Sequence, residues 1–219
     1  MISHKYKAIF VHIPKSAGTS IGTKLGIYPE ESFWGMQDHR SIQQLTPIQD
    51  LFLLKAGRLT PKIIHRRIRD IYLNKRDYPT KNQLDEYFKF TFVRNSWART
   101  FSWYSNIIYD ERHCSYFNID KSATFKWFVE NKLDTLKNQL YYITDARNNV
   151  AVDYIGKFET LNQDFAYICD VLGISNSILP ERNRIGTPHY VSHYNDNTIE
   201  LVRQYFIKDI EYFGFEFGK

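Results

Sequence analysis

The chain has 219 residues, enough for one domain with a substantial core, and its 43% hydrophobic content excludes a disordered polymer. The formal net charge of +5 suits an anionic ligand, though it equally suits an ordinary basic surface. Cys114 and Cys169 have no metal-ligand or C-x-x-C spacing, which excludes a disulfide scaffold; with neither a signal-peptide core nor a membrane span, the expected location is the cytoplasm.

Ala8 to Ile13 is an apolar run ended by Pro14 and predicts a buried strand, with His12 inside it. The small, polar stretch Lys15 to Ser20 follows, and then a helix from about Ser20. From Lys55 to Arg76 the chain is basic, with Ile64, Ile68, Ile71 and Tyr72 at helical spacing. This predicts an amphipathic helical excursion at about 50–80, either a solvated face or a grip on an anionic substrate; nothing in it resembles a nucleic-acid reading head. Phe88 to Val93 predicts a second strand, followed by a polar break and a helix over Ala98 to Ile108 in which Trp97, Trp103 and Tyr104 pack and Arg99 is a surface charge.

Thr124 to Lys132 reads as a helix and Tyr154 to Phe158 as a third strand. Thr160 with Gln163 forms a capping-box pattern that opens a helix through Phe165, Ile168 and Leu172 to Gly173, with Cys169 in the core. Asn197 with Glu200 repeats the pattern. Strand, polar turn and helix, twice over, predict a single α/β domain spanning residues 1–219, with helices on the faces of a mostly parallel sheet.

A turn between strand and helix gathers backbone N–H groups around one point and forms a natural anion site. Lys15 adds a full charge, Gly18 permits close backbone approach, and Thr19 and Ser20 add hydroxyls. In the Walker pattern G-x-x-x-x-G-K-[ST] the lysine follows the glycine, whereas here Lys15 precedes Gly18 by three residues. An ATP-dependent kinase is the weaker alternative on that count, and a catalytically inactive nucleotide- or glycan-binding module is another.

The stretch His12-Ile13-Pro14-Lys15-Ser16-Ala17-Gly18-Thr19-Ser20 resembles the 5′-phosphosulfate loop of sulfotransferases that use 3′-phosphoadenosine 5′-phosphosulfate (PAPS). It is most similar to the carbohydrate-type family that includes heparan sulfate 2-O-sulfotransferase and small bacterial proteins. The resemblance implies a P-loop-like three-layer fold with a central, mostly parallel sheet flanked by helices. It also implies that Ser16, Ala17, Gly18, Thr19 and Ser20 hold the 5′-phosphosulfate while Lys15 lies beside the bridging oxygen. In the second signature, Phe88 to Tyr104, it assigns Arg94 and Ser102 to the 3′-phosphate. That signature departs from the family at Ser96, where proline is common, and at Ala98, where an acidic residue is common.

His39, in Gln37-Asp38-His39-Arg40-Ser41-Ile42, corresponds to the family's base; His189 and His193 are weaker candidates. The resemblance runs on to Phe217, and it makes Arg184, in a loop from Arg182 to His189, a further phosphate contact. Gln139 and Glu159 are either structural or line the acceptor site, and Asp38 is left unassigned. The implied reaction is metal-free transfer of a sulfuryl group to a hydroxyl, the acceptor being a carbohydrate, an anionic one if the basic segment grips it, and the product 3′,5′-phosphoadenosine.

Overall fold

The structure is a computed structural model that describes residues 1–28, 37–46, 77–179 and 190–219, together with the helical positions His65, Ile68, Arg69 and Tyr72. Most of the basic segment and the 182–189 loop, with Arg184 and His189, lie outside the described residues. Within the basic segment, Ile68 and Tyr72 are helical and exposed.

Among the described residues, four strands, β1 (Ile2–Ser3), β2 (Ala8–Val11), β3 (Phe88–Val93) and β4 (Tyr154–Lys157), form one sheet in the order β1-β2-β3-β4. The first pair is antiparallel and the other two are parallel. The helices are α1 (Gly18–Lys24), α2 (Ile42–Leu45), α3 (Lys81–Glu86), α4 (Ser96–Tyr109) and α5 (Glu111–Phe117). They continue with α6 (Phe125–Asn131), α7 (Leu140–Ile143), α8 (Leu161–Leu172), α9 (Asp196–Tyr205) and α10 (Ile207–Phe213).

β2 and β3 read as apolar runs because both of their faces are covered. Ile9, Val11 and Val93 pack with Trp97, Phe101 and Ile107 of α4, Phe128 of α6 and Val202 of α9. Ala8, Phe10, Phe90 and Phe92 pack on the other face with Ile21 of α1 and Phe165, Ile168 and Cys169 of α8. These are the three layers expected from the sequence. Thr91 is a polar residue in this core, and its hydroxyl donates to the Val11 carbonyl at 2.7 Å.

Two caps differ from expectation. Thr160 ends a 3-10 turn with φ −115° and ψ 28°, so its side chain makes no cap; its hydroxyl donates instead to Asp164 Oδ2 at 2.6 Å. A side-chain cap needs extended backbone, and the turn denies it. The second capping box sits two residues earlier, on Asn195 with Thr198, where the backbone is extended, while Glu200 pairs with Arg203. The first strand also ends at Val11 rather than Ile13, and α1 starts at Gly18 rather than Ser20.

Gly156 is set by the sheet's own packing, because a Cβ there would lie 2.5 Å from Phe92 Cε1. Gly156→Ala is expected to lower stability by about 1–3 kcal/mol through overpacking. Urea unfolding would register this as a lower midpoint with an unchanged slope.

Candidate functional site

β2 delivers the chain into a tight loop. Lys15 and Ala17 both take left-handed backbone, with φ 70° and 61°, on either side of buried Ser16. Such angles are strained for residues with a Cβ and persist only where the surroundings fix them. Gly18 also has a packing duty: a Cβ there would lie 1.8 Å from His12 Cδ2. The space beside Gly18 is filled by the His12 ring, so the loop folds over the residue that directly follows β2.

That fold brings Lys15 and Arg94 together. Lys15 Nζ donates to Asn106 Oδ1 at 3.0 Å, and Arg94 Nη1 donates to the Lys15 carbonyl at 3.3 Å. The Arg94 guanidinium lies 4.1 Å from the centre of the Phe158 ring. Ser102 is half-buried on α4, one turn before Asn106 and on the same face of the helix. Gln37 Nε2 donates to Thr19 Oγ1 at 2.9 Å, tying the loop to the segment that carries His39.

His39 Nδ1 lies 3.1 Å from the His12 carbonyl, and the two imidazole centres are 4.2 Å apart. A carbonyl only accepts, so Nδ1 carries the proton and Nε2 of the neutral ring keeps its lone pair. Burial lowers the His39 pKa from 6.5, which favours this neutral form. Burial, with repulsion from Arg94, brings Lys15 down to about 8, and burial brings Arg94 to about 10. Among the described residues neither cation has an ion-pair partner, and the buried Ser16 Oγ and Arg94 Nε have no hydrogen-bond partner. The arrangement is a desolvated cationic pocket beside a neutral imidazole.

A sequence model described as "Sulfotransferase family" matches residues 1–216. The chain belongs to the sulfotransferase family. It is also 31% identical over 112 residues to an uncharacterized protein of Archaeoglobus fulgidus, covering 50% of this chain and 88% of that one. No solved structure matches it. Family membership makes the protein a transferase of sulfuryl groups on an α/β scaffold. Among the described residues, no cluster of His, Cys, Asp and Glu could hold a metal, and no helix is long and apolar enough to cross a membrane.

Several residues of the candidate site carry no motif. Arg99, expected on the surface, is 1% exposed; its Nε donates to the Pro14 carbonyl at 3.0 Å and its Nη1 to the Lys137 carbonyl at 2.9 Å. It lies on the inner face of α4, so burial overrides the usual exposure of arginine. Asn106 was legible in principle, four residues beyond Ser102 on that same face. Gln139 is fully buried, accepting from the Arg94 N–H at 2.8 Å and donating to the Arg94 carbonyl at 2.9 Å. Glu159 accepts from the Asn95 N–H at 2.7 Å, and Asp209 accepts from the N–H groups of Gln139 and Leu140.

Gln139 and Glu159 thus hold the backbone around Arg94. Asp38 pairs with Arg40 rather than orienting His39. His193 stacks on Phe101, with ring centres 4.3 Å apart. Gln139→Leu would leave both Arg94 backbone groups unpaired. The expected cost is about 2 kcal/mol or more, read as a lower denaturation midpoint, with faster hydrogen exchange at the Arg94 amide.

Proposed function

We propose that the protein transfers a sulfuryl group from PAPS to a hydroxyl of a second substrate, with His39 as the base and Lys15 as the charge-stabilising group. The observation that carries this reading is the pair of desolvated cations, Lys15 and Arg94, set beside the unpaired Ser16 hydroxyl. Burying cations without a direct ion-pair partner is costly unless an anion completes the site, and a ligand with phosphate groups at both ends fits two cations on adjacent elements.

On this reading Lys15 and the Ser16 to Ser20 loop hold the 5′ end, and Arg94 with Ser102 holds the 3′-phosphate, Arg184 adding to the phosphate contacts. When bound, PAPS supplies a sulfuryl group activated on its 5′-phosphate. His39 Nε2 takes the proton of the attacking hydroxyl, while its Nδ1–H remains on the His12 carbonyl. Lys15 sets a positive charge where negative charge develops. A carbohydrate acceptor rests on the sequence resemblance alone, since a fold does not specify a second substrate. The two free, buried cysteines suit a reducing compartment such as the cytoplasm.

Calorimetry with 3′,5′-phosphoadenosine and with ADP, each with and without Mg²⁺, tests the reading. The former should bind independently of the metal, and Arg94→Ala should weaken it roughly ten- to a hundredfold. Preference for ADP with Mg²⁺ would overturn the proposal in favour of a kinase.

With labelled PAPS and a panel of glycans, His39→Asn is expected to reduce turnover by about 10²–10⁴-fold. The pH profile of kcat/KM should be bell-shaped. His39 must be neutral, so its acid limb falls below pH 6.5, because burial lowers the imidazole pKa. Lys15 must be charged, so activity is present below about 8 and is lost as the pH rises through that value.

A further inference from the structure

α4 ends at Tyr109, and the chain turns at Asp110 into α5. This corner returns His113, 5% exposed, against Asn106. The proposed chemistry uses neither residue. Asn106 has one side-chain amide and two polar neighbours. Lys15 Nζ is 3.0 Å from its Oδ1, and its Nδ2 is 3.3 Å from His113 Nδ1. An ammonium only donates, so the oxygen must face Lys15 and the NH₂ must face the imidazole. His113 Nδ1 therefore accepts, and the neutral ring carries its proton on Nε2.

The charged groups acting on His113 are Asp110 and Arg112 of its own segment and Lys15 of the loop. Asp110 is engaged by Arg112 at 3.1 and 2.8 Å, whereas its Oδ2 lies 3.9 Å from His113 Nδ1. Burial lowers the His113 pKa from 6.5, so the accepting form prevails at neutral pH.

We infer that His113 and Asn106 are positioning residues: His113 orients the Asn106 amide, and the amide oxygen fixes the ammonium of Lys15 at the loop. The inference rests on the assignment of Lys15 to the donor. A lysine has a long, flexible stem, and a fixed acceptor limits where its charge sits. The acceptor is also neutral. It orients the ammonium without cancelling the charge, which a carboxylate in its place would do.

The test is an NMR titration of Lys15 in the full chain labelled with [ε-¹³C]lysine, without ligand, the signal being identified by its loss in Lys15→Arg. The wild-type midpoint is expected at about 8. Asn106→Leu, similar in size but without an acceptor, should lower it, and Asn106→Asp should raise it by about one pH unit or more. His113→Leu should lower it as Asn106→Leu does. His113→Asn should restore it, because the amide oxygen replaces the Nδ1 acceptor.

A folded His113→Leu protein with an unmoved midpoint would overturn the role of His113, and an unmoved midpoint in both Asn106 variants would overturn the whole inference. Calorimetry with 3′,5′-phosphoadenosine separates this from the donor reading. Shifted midpoints in the variants, together with a wild type that does not bind it, would support the positioning of Lys15 and retire its donor role. Normal binding with unmoved midpoints would do the reverse.

Discussion

Positive charge is gathered in one place here and answered almost entirely by neutral groups. Lys15 is held by an amide oxygen, Arg94 by a carbonyl and an aromatic face, and Arg99 by two carbonyls. The nearby carboxylates spend their hydrogen bonds on backbone N–H groups: Glu159 on Asn95, Asp209 on Gln139 and Leu140. Glu159 attracts Arg94 and Asp209 attracts Arg99 through space without a direct ion pair, so part of the cations' field remains available to an incoming anion, in a setting where low polarisability strengthens it. Such an arrangement opposes folding, and the rest of the site compensates by over-determining the backbone. Gln139 fastens both polar groups of Arg94, and Arg99 bridges Pro14 to Lys137.

The His12 ring is the mechanical counterpart. It fills the space beside Gly18, its Nδ1 meets the Tyr28 hydroxyl at 3.2 Å, and its carbonyl receives His39. The Tyr28 hydroxyl also accepts from the Asp38 N–H at 2.9 Å. The residue directly after β2 thus supports the anion loop and the imidazole together, so the distance between them is set by the end of the strand rather than by a flexible connection. This explains how a loop with two left-handed non-glycine residues stays in place.

The sheet was largely legible because parallel strands buried on both faces leave uninterrupted apolar runs: Phe88 to Val93 appears in the structure as read. The helix ends were less so. Thr160 matches a cap pattern, but a pattern does not report the φ and ψ that a preceding 3-10 turn imposes. Within the site, Lys15, Arg94 and His39 were visible because their neighbours form a distinctive string. The residues that hold them were not, since Gln139 is brought to Arg94 from 45 residues away, and Asp209 to Gln139 from 70, by tertiary packing. Arg99 was misread because its charge points to solvent by habit, whereas helical periodicity places it on the inner face with Ser102 and Asn106.

The attachment of Asn95 to the far end of the chain has a consequence for biosynthesis. Asn95 caps α4 directly after Arg94, and its Nδ2 donates to the Glu216 carbonyl at 2.7 Å, across 121 residues of sequence. At about 5–20 residues per second on the ribosome, that partner is synthesised roughly 6–24 s after Asn95 itself. During this interval β2, β3 and the loop between β2 and α1 already exist as polypeptide, while the strap behind Arg94 does not. The sheet has the opportunity to form during translation, but the cationic pocket reaches its final rigidity only afterwards.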